Sequence, residues 1–343
     1  MQSNINSSRP LVSIVITSFN RGHLIEKAIQ SAVDQDYENL EIIISDNCSQ
    51  DNTKDIVEKF IDDPRIHFFQ NEVNIGMIEN FKYSSFSLAS GELISFVSSD
   101  DFLINSSFIT DAVHAFYNYP NIGIVHSCNL SSGSPENTFE QDYSYIFYKN
   151  TFYKADYVLG REVFNSYPKC HSISFGGSVF KRDDLMQINP FVDGIFSFDV
   201  SLSLQLIQKY NVCFLDKDTY VVRRHGENYT STIDNADIYL KNARYIDIPF
   251  DRAVLNKFDD KKKLMIWKNK MYVTYFLQIS LGFFAVSDEQ YSKCIDFLKK
   301  NNPDVYRQLI FSPKFHFYKI LKVNKLVSGF VNFLRSLKTW LRV

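Results

Sequence analysis

Leu93-Ile94-Ser95-Phe96-Val97-Ser98-Ser99-Asp100-Asp101-Phe102-Leu103 is the stretch on which the fold turns. After the break at Gly91, Leu93 to Val97 is a β-branched and aromatic run, the signature of a buried strand. Asn105-Ser106-Ser107 then reads as a helix N-cap region. Asp100 and Asp101 therefore fall at the carboxyl end of a strand, the edge where open α/β sheets bind ligands. Two carboxylates held there suit a divalent cation shared with a phosphate. An acidic turn is the alternative that the stretch alone leaves open.

Upstream, Leu11 to Ile16 is a compact apolar run that ends at Thr17-Ser18-Phe19-Asn20-Arg21-Gly22. Helical spacing of Leu24, Ala28, Ile29 and Ala32 predicts a helix from His23 to Val33. Leu40 to Ser45 is a second strand, breaking on Asp46-Asn47-Cys48-Ser49-Gln50-Asp51-Asn52-Thr53. A helix over about Lys54 to Ile61, a strand at Ile66 to Phe69 and a helix over Met77 to Ala89 lead back to the opening run. This alternation implies βαβ units and a mainly parallel, Rossmann-like α/β sheet with flanking helices. Three polar strand ends, Thr17–Arg21, Asp46–Thr53 and Ser98–Asp101, then converge on one crevice. Neither G-x-G-x-x-G nor G-x-x-x-x-G-K-[ST] occurs, which weighs against a dinucleotide or P-loop site.

Downstream, Ile122 to His126 is a further strand. From Asn129 to Tyr157 the periodicity dissolves into an insertion or lid whose Tyr143, Tyr145, Phe147, Tyr148, Phe152, Tyr153 and Tyr157 suit sugar stacking or packing of the loop itself. Ser172 to Phe180 reads as a strand in which Gly176-Gly177 permit close approach of a ligand or neighbouring strand. A helix carrying Leu202, Leu206, Ile207 and Tyr210 on one face has Asp199 in its first turn. Two short strands, Val212–Leu215 and Thr219–Val222, end on Arg223-Arg224-His225-Gly226. Beyond about Asp234 helices dominate. Met271 to Ser287 is uncharged but short for a membrane span, so it reads as a buried or membrane-surface helix. Phe311 to Val343 has seven Lys and Arg and no acid, the pattern of an amphipathic helix on an anionic membrane or docked on the domain.

The net charge of −2 over 343 residues gives no global attraction to nucleic acid. Five scattered cysteines without a C-x-x-C pair suggest reduced thiols in a cytoplasmic setting and neither a disulfide framework nor a zinc site. Met1 to Arg9 lacks the apolar run of a secretory signal. The expected organisation is an N-terminal tail (1–9), a catalytic domain (10–230, with 129–157 as insertion), a helical region (231–310) and the basic tail (311–343).

Val12 to Arg21, Ser45 to Thr53, Asn74-Ile75-Gly76 with Asn80, and Ser99-Asp100-Asp101, in that order, resemble the motifs of family-two inverting glycosyltransferases with the GT-A fold. The resemblance covers about residues 10 to 230. It implies that Thr17, Phe19 and Asn20 line a nucleotide pocket with Arg21 near the phosphates, and that Asp46 accepts a hydrogen bond from a pyrimidine N–H. Asn74, Gly76 and Asn80 belong to the same nucleotide-sugar site. Asp100 is expected at the ribose or sugar, Asp101 on the cation, and Ser98 departs from the pattern where an Asp is frequent. Arg223 and Arg224 are expected at the diphosphate, with His225 as a second metal ligand, and a nitrogen donor favours manganese over magnesium. Asp199 matches the place of the family's base. Apolar Phe196 and Phe198 would raise its pKa and a helix N-terminus would lower it, and capping is its alternative role.

The resemblance thus implies metal-assisted transfer of a sugar from a nucleotide-sugar donor, a UDP-sugar, to a lipid-linked or polysaccharide acceptor in bacterial surface-glycan synthesis. The setting would be peripheral, on the inner face of the cell membrane. A sugar nucleotidyltransferase is the competing enzyme reading, but Thr17 to Gly22 offers one glycine and one arginine where that class wants a glycine-rich basic loop. A non-catalytic scaffold that binds nucleotide or membrane is the third.

Overall fold

Val12 to Ile16 of the first strand is buried throughout, the pattern of a parallel-sheet strand covered on both faces, and the sheet grows from it. The computed structural model describes residues 9–132, 139–141, 157–167, 173–223, 225, 227–228, 233, 235–286, 288–313 and 315–316. The chain forms two compact units, Met1–Asn228 and Tyr229–Val343.

In the first unit, β1 (Val12–Ser18), β2 (Leu40–Asp46), β3 (Ile66–Gln70) and β4 (Leu93–Ser98) form a wholly parallel set. Between them run α1 (Gly22–Val33), α2 (Thr53–Glu58) and α3 (Met77–Tyr83), the last continuing as a π-helical turn over Ser84–Leu88. The rest comprises β5 (Phe102–Leu103), α4 (Phe108–Asn118), β6 (Ile122–Ser132), β7 (Phe139–Gln141), β8 (Tyr157–Val158), α5 (Gly160–Ser166), β9 (Ser178–Lys181), α6 (Arg182–Ile188), α7 (Phe198–Leu206) and β10 (Asn211–Arg223). The strand order is β3-β2-β1-β4-β9-β6-β10-β5, with β7 on β6 and β8 on β10. Antiparallel β9 joins the parallel set to the second parallel pair, β6 and β10.

Val12, Ile14 and Ile16 of β1 pack with Ile25, Ala28, Ile29 and Ala32 of α1 on one face. Near β4 an aromatic cluster gathers Phe81, Phe96, Phe175, Phe191 and Phe198, with the Phe96 and Phe175 rings stacked at 4.2 Å. At the amino end of the sheet, the buried Glu41 carboxylate accepts from Ser13 Oγ, the Ser90 N–H and hydroxyl, and the Gly91 N–H. It staples β1, β2 and the entry to β4 together. Burial pushes its pKa up, but these four donors outweigh that and leave it below the ordinary 4.5. Its stabilisation is therefore complete above that value and lost as the pH falls through the folded-state pKa. Glu41→Gln should cost about 2 kcal/mol at pH 7, and the gap in Tm from the wild type should narrow on acidification below pH 4.

Four local expectations change. The strands expected at Val212–Leu215 and Thr219–Val222 are one strand, β10, whose register against β6 is irregular around Asp218. The strand expected over Ser172–Phe180 shrinks to β9: Ser172 lies outside the described residues, and a turn precedes β9 because Gly177 takes φ +69°. The insertion expected over 129–157 begins as an extension of β6, and six of its seven aromatic residues, Tyr143 to Tyr153, lie outside the described residues. Phe102–Leu103, unforeseen, pairs antiparallel with Tyr220–Val221.

The second unit is helical: α8 (Ala236–Asn242), α9 (Arg244–Leu255), α10 (Lys261–Val286), α11 (Asp288–Asn301) and α12 (Pro303–Ile310). Leu264, Trp267, Met271, Tyr272, Tyr275, Phe276 and Ile279 form the buried stripe of α10. No helix among the described residues is long and apolar enough to cross a membrane. Most of the basic tail, 317–343, lies outside them.

Candidate active site

The loops after β1, β2 and β4 meet at one edge of the sheet because these parallel neighbours end level, Ser18 opposite Asp46 and Thr17 opposite Ser98. After β1, Asn20 adopts φ +51°. Its side chain accepts from the Gln50 N–H at 2.8 Å, and its N–H donates to Ser49 Oγ at 2.7 Å. Asp51 ties the same two loops, accepting from the Gly22 N–H at the start of α1 and from the Thr53 N–H and hydroxyl at the start of α2. Thr17 is half-buried and Phe19 is exposed. Arg21 donates to the Glu227 carbonyl at 2.7 Å and lies 3.4 Å from its carboxylate, tying Glu227 to the β1–α1 loop.

Asp46 is fully buried, its carboxylate taken by the Ser49 N–H and hydroxyl and by Gln70 Nε2. Asn80 is likewise internal: it accepts from Ser45 Oγ and Asn71 Nδ2 and donates to the Ser45 carbonyl. Asn74 accepts from Asn47 Nδ2 and the Gly76 N–H. Asn74 and Asn80 thus belong to an amide network that shapes the β3–α3 loop, which the sequence reading had assigned to ligand contact.

The adjacent carboxylates Asp100 and Asp101 point to different partners. Asp101 is buried, with one oxygen accepting from Tyr220 Oη at 2.9 Å and the other from the Arg223 N–H at 2.9 Å. Burial, and secondly the charge of Asp100, push its pKa up to about 7 against those donors. Asp100 faces the open side, where its Oδ2 lies 3.2 Å from His225 Nε2 and 3.3 Å from Asn228 Nδ2. The expected pairing of Asp101 with His225 is therefore replaced by Asp100 with His225, since a carboxylate with both oxygens engaged inside the fold has none aimed outward. Arg223, expected at a diphosphate, spends its guanidinium on the backbone carbonyls of Asp100, Leu24 and Ser99. Arg224 lies outside the described residues.

Among the described residues, no three His, Cys, Asp or Glu side chains converge as a closed metal site. Asp100 and His225 offer one oxygen and one nitrogen donor. That set fits a cation whose remaining ligands come from water and a bound phosphate better than a resident structural ion.

Asp199 stands in the first turn of α7, after Ser197 at the N-cap. It accepts from the Val200 N–H at 2.8 Å and from the Phe175 N–H. Phe198, beside it, is buried in the aromatic cluster. Burial outweighs the N–H donors and raises the Asp199 pKa to about 6. The competition between apolar neighbours and helix terminus, open from sequence, is decided for the apolar side.

Residues 13–188 match the family model described as Glycosyl transferase family 2. The chain belongs to that family. It is 39% identical over 102 residues to GalNAc(5)-diNAcBac-PP-undecaprenol beta-1,3-glucosyltransferase of Campylobacter jejuni, a match covering 29% of this chain and 33% of that protein. Over 117 residues it is 35% identical to the Escherichia coli UDP-Glc:alpha-D-GlcNAc-diphosphoundecaprenol beta-1,3-glucosyltransferase WfaP, covering 32% of this chain and 45% of WfaP. These matches thus span less than half of each relative's length. Among solved structures, S. aureus TarS 1-349 in complex with UDP-GlcNAc is similar with a TM-score of 0.65 at 17% identity, covering 91% of each chain. The family-2 chain thus has the GT-A fold, with the mostly parallel sheet expected from its sequence.

Within this family-2 domain, the sequence reading passed over Asp51, Tyr220 and Asn228. Asp51 carried a signal, since Asp-x-Thr at the start of α2 is a capping pattern. Asn228 stands three residues after His225, with its side-chain oxygen accepting from the His225 N–H. Tyr220 carried no local signal, being one aromatic residue in a strand.

Proposed function

We propose that this chain is an inverting, metal-assisted glycosyltransferase that moves a sugar from a UDP-sugar to a lipid-linked acceptor in bacterial surface-glycan synthesis. The observation that carries the reading is the outward-facing Asp100–His225–Asn228 cluster at the carboxyl edge of a family-2 sheet. The names of the two curated relatives, both acting on undecaprenol diphosphate-linked glycans, support the acceptor class. The UDP-sugars named in WfaP and the TarS complex support the donor.

A divalent cation, manganese by the nitrogen of His225, would be held by Asp100 and His225 and would neutralise the leaving diphosphate. Thr17, Phe19 and Asn20 border the nucleotide, with Arg21 near its phosphates, while Asp46, expected to read the base, is buried with both oxygens held by Ser49 and Gln70 and shapes the β2 loop from within. Asp199 accepts the proton of the acceptor hydroxyl while that oxygen attacks the anomeric carbon opposite the leaving group. The new C–O bond forms as the bond to the diphosphate breaks, which inverts the centre. A carboxylate with a pKa near 6 is mostly ionised at pH 7 yet more basic than an ordinary Asp, as a general base requires. Contact with an anionic membrane through the basic tail, 311–343, belongs to the same proposal.

Incubation with a panel of nucleotide sugars, manganese and lipid-diphosphate acceptors, with measurement of released nucleoside diphosphate, tests the reading. Acceptor-dependent release of UDP is expected. Pyrophosphate release from a nucleoside triphosphate would replace it with a nucleotidyltransferase, and binding without turnover would leave a scaffold.

A further inference from the structure

Tyr220 is among the largest fully buried side chains of the protein, at 2% exposure. A buried tyrosine hydroxyl needs polar partners, and this one has two. It accepts from the Ser98 N–H at 3.1 Å and donates to Asp101 Oδ2 at 2.9 Å. Ser98 and Asp101 are the two ends of the turn that presents Asp100, and the Asp101 N–H closes that turn on the Ser98 carbonyl at 2.9 Å. The ring of the same tyrosine lies against Gly176, where a Cβ would come within 2.5 Å of it. Only a residue without a side chain lets the ring pass. Gly176 follows Phe175, whose N–H donates to Asp199, and its carbonyl accepts from Asn129 Nδ2 at 3.0 Å. The turn beneath Asp199 is thereby anchored to β6 on one side and to the Tyr220 ring on the other.

From this juxtaposition we infer that Tyr220 is a positioning residue that sets the donor-side carboxylate Asp100 against the base-side carboxylate Asp199; the inference rests on the glycosyltransferase reading above. The hydroxyl and the ring have separate tasks. The hydroxyl fixes the shape of the turn that offers Asp100 to the donor. The ring is the spacer between that turn and the one holding Asp199, and so fixes the distance over which attack must occur. Its effect on rate is through alignment, where a displacement of about 1 Å can cost on the order of 100-fold.

The two tasks separate by mutation. Tyr220→Phe keeps the spacer and loses the hydroxyl. Its donor KM should rise about tenfold with kcat within about twofold of wild type, as expected when one hydrogen-bonded anchor of a binding group is lost. Tyr220→Leu should share that KM increase and also lower kcat by about 100-fold. Gly176→Ala, which displaces the ring while leaving Tyr220 intact, should lower kcat about tenfold or more. Thermal melting of each variant accompanies the kinetics. A wild-type donor KM in Tyr220→Phe would overturn the role of the hydroxyl. Reduced melting with wild-type kcat in Tyr220→Leu and Gly176→Ala would make the ring a packing element alone. If the wild-type protein turns over no nucleotide sugar, the glycosyltransferase reading itself fails. The hydroxyl is then still tested by UDP and manganese titrations, in which equal affinity for wild type and Tyr220→Phe would reject it.

Discussion

Asp199→Asn should lower kcat for sugar transfer by about 10²–10⁴-fold, the usual worth of a positioned general base. Donor KM should stay near wild type, because the hydrogen bonds of Asp199 run to the backbone of Val200 and Phe175, away from the residues proposed to hold the donor. The pH dependence gives a second reading of the same group. Burial holds the Asp199 pKa at about 6, above the ordinary 3.8, so wild-type kcat should climb with pH through 6 and level off above 7. At pH 5 only about a tenth of the carboxylate is ionised and the rate should fall in proportion. Stability runs the other way. A carboxyl whose folded pKa exceeds its unfolded value destabilises the fold as pH rises from 3.8 through 6, so the charge is a cost at neutral pH. The Asn variant should therefore melt no lower than the wild type at pH 7. A large loss of Tm would mark Asp199 as a structural cap, and a flat pH profile with near-normal transfer would move the base elsewhere.

Asp100→Asn should remove the cation-dependent part of donor binding. Asp100 and His225 supply the charged oxygen and the nitrogen of the proposed site, 3.2 Å apart, and loss of the one anionic donor should weaken cation-supported UDP affinity by about 100-fold or more. Calorimetric titration of UDP with manganese, and again with excess chelator, checks this. Wild-type affinity should fall on chelation to the level of the variant, and the variant should be insensitive to chelator. Equal cation dependence in both proteins would remove Asp100 from the site. The fold should survive, because Asp100 keeps partial exposure, and the framework bonds of its turn come from the Asp101 side chain and from backbone groups.

The contrast between these neighbouring carboxylates shows where sequence reading stops. Adjacent residues in a turn point in different directions, and their identity does not say which faces water. Asp101 turns inward because Tyr220 and the Arg223 N–H, 119 and 122 positions further along the chain, take both its oxygens. Arg223 was expected at the diphosphate from the resemblance of Arg223-Arg224-His225 to a family motif, yet its guanidinium meets three backbone carbonyls that only folding brings to it. Asn80 was expected at the ligand from the resemblance, and its two hydrogen bonds to Ser45 of β2 make it an internal tie.

Other features were legible because their causes are local. The apolar runs of β1, β2 and β4 and the 3.6-residue spacing of α1 place these elements within a residue or two. The polar stretches that follow each strand gather at one edge, since parallel strands end at the same side of the sheet. The ordered motifs were enough to name the family before any coordinates. By itself, then, the sequence determined the α/β alternation, the family and the edge of the sheet where the polar loops gather, all consequences of periodicity and chain order. Only the tertiary structure decided that Asp100 rather than Asp101 faces His225, that the Asp199 carboxylate is lifted towards pH 6, and that one tyrosine touches both turns. Those depend on desolvation and on hydrogen bonds between distant segments, which exist only once the chain has closed on itself.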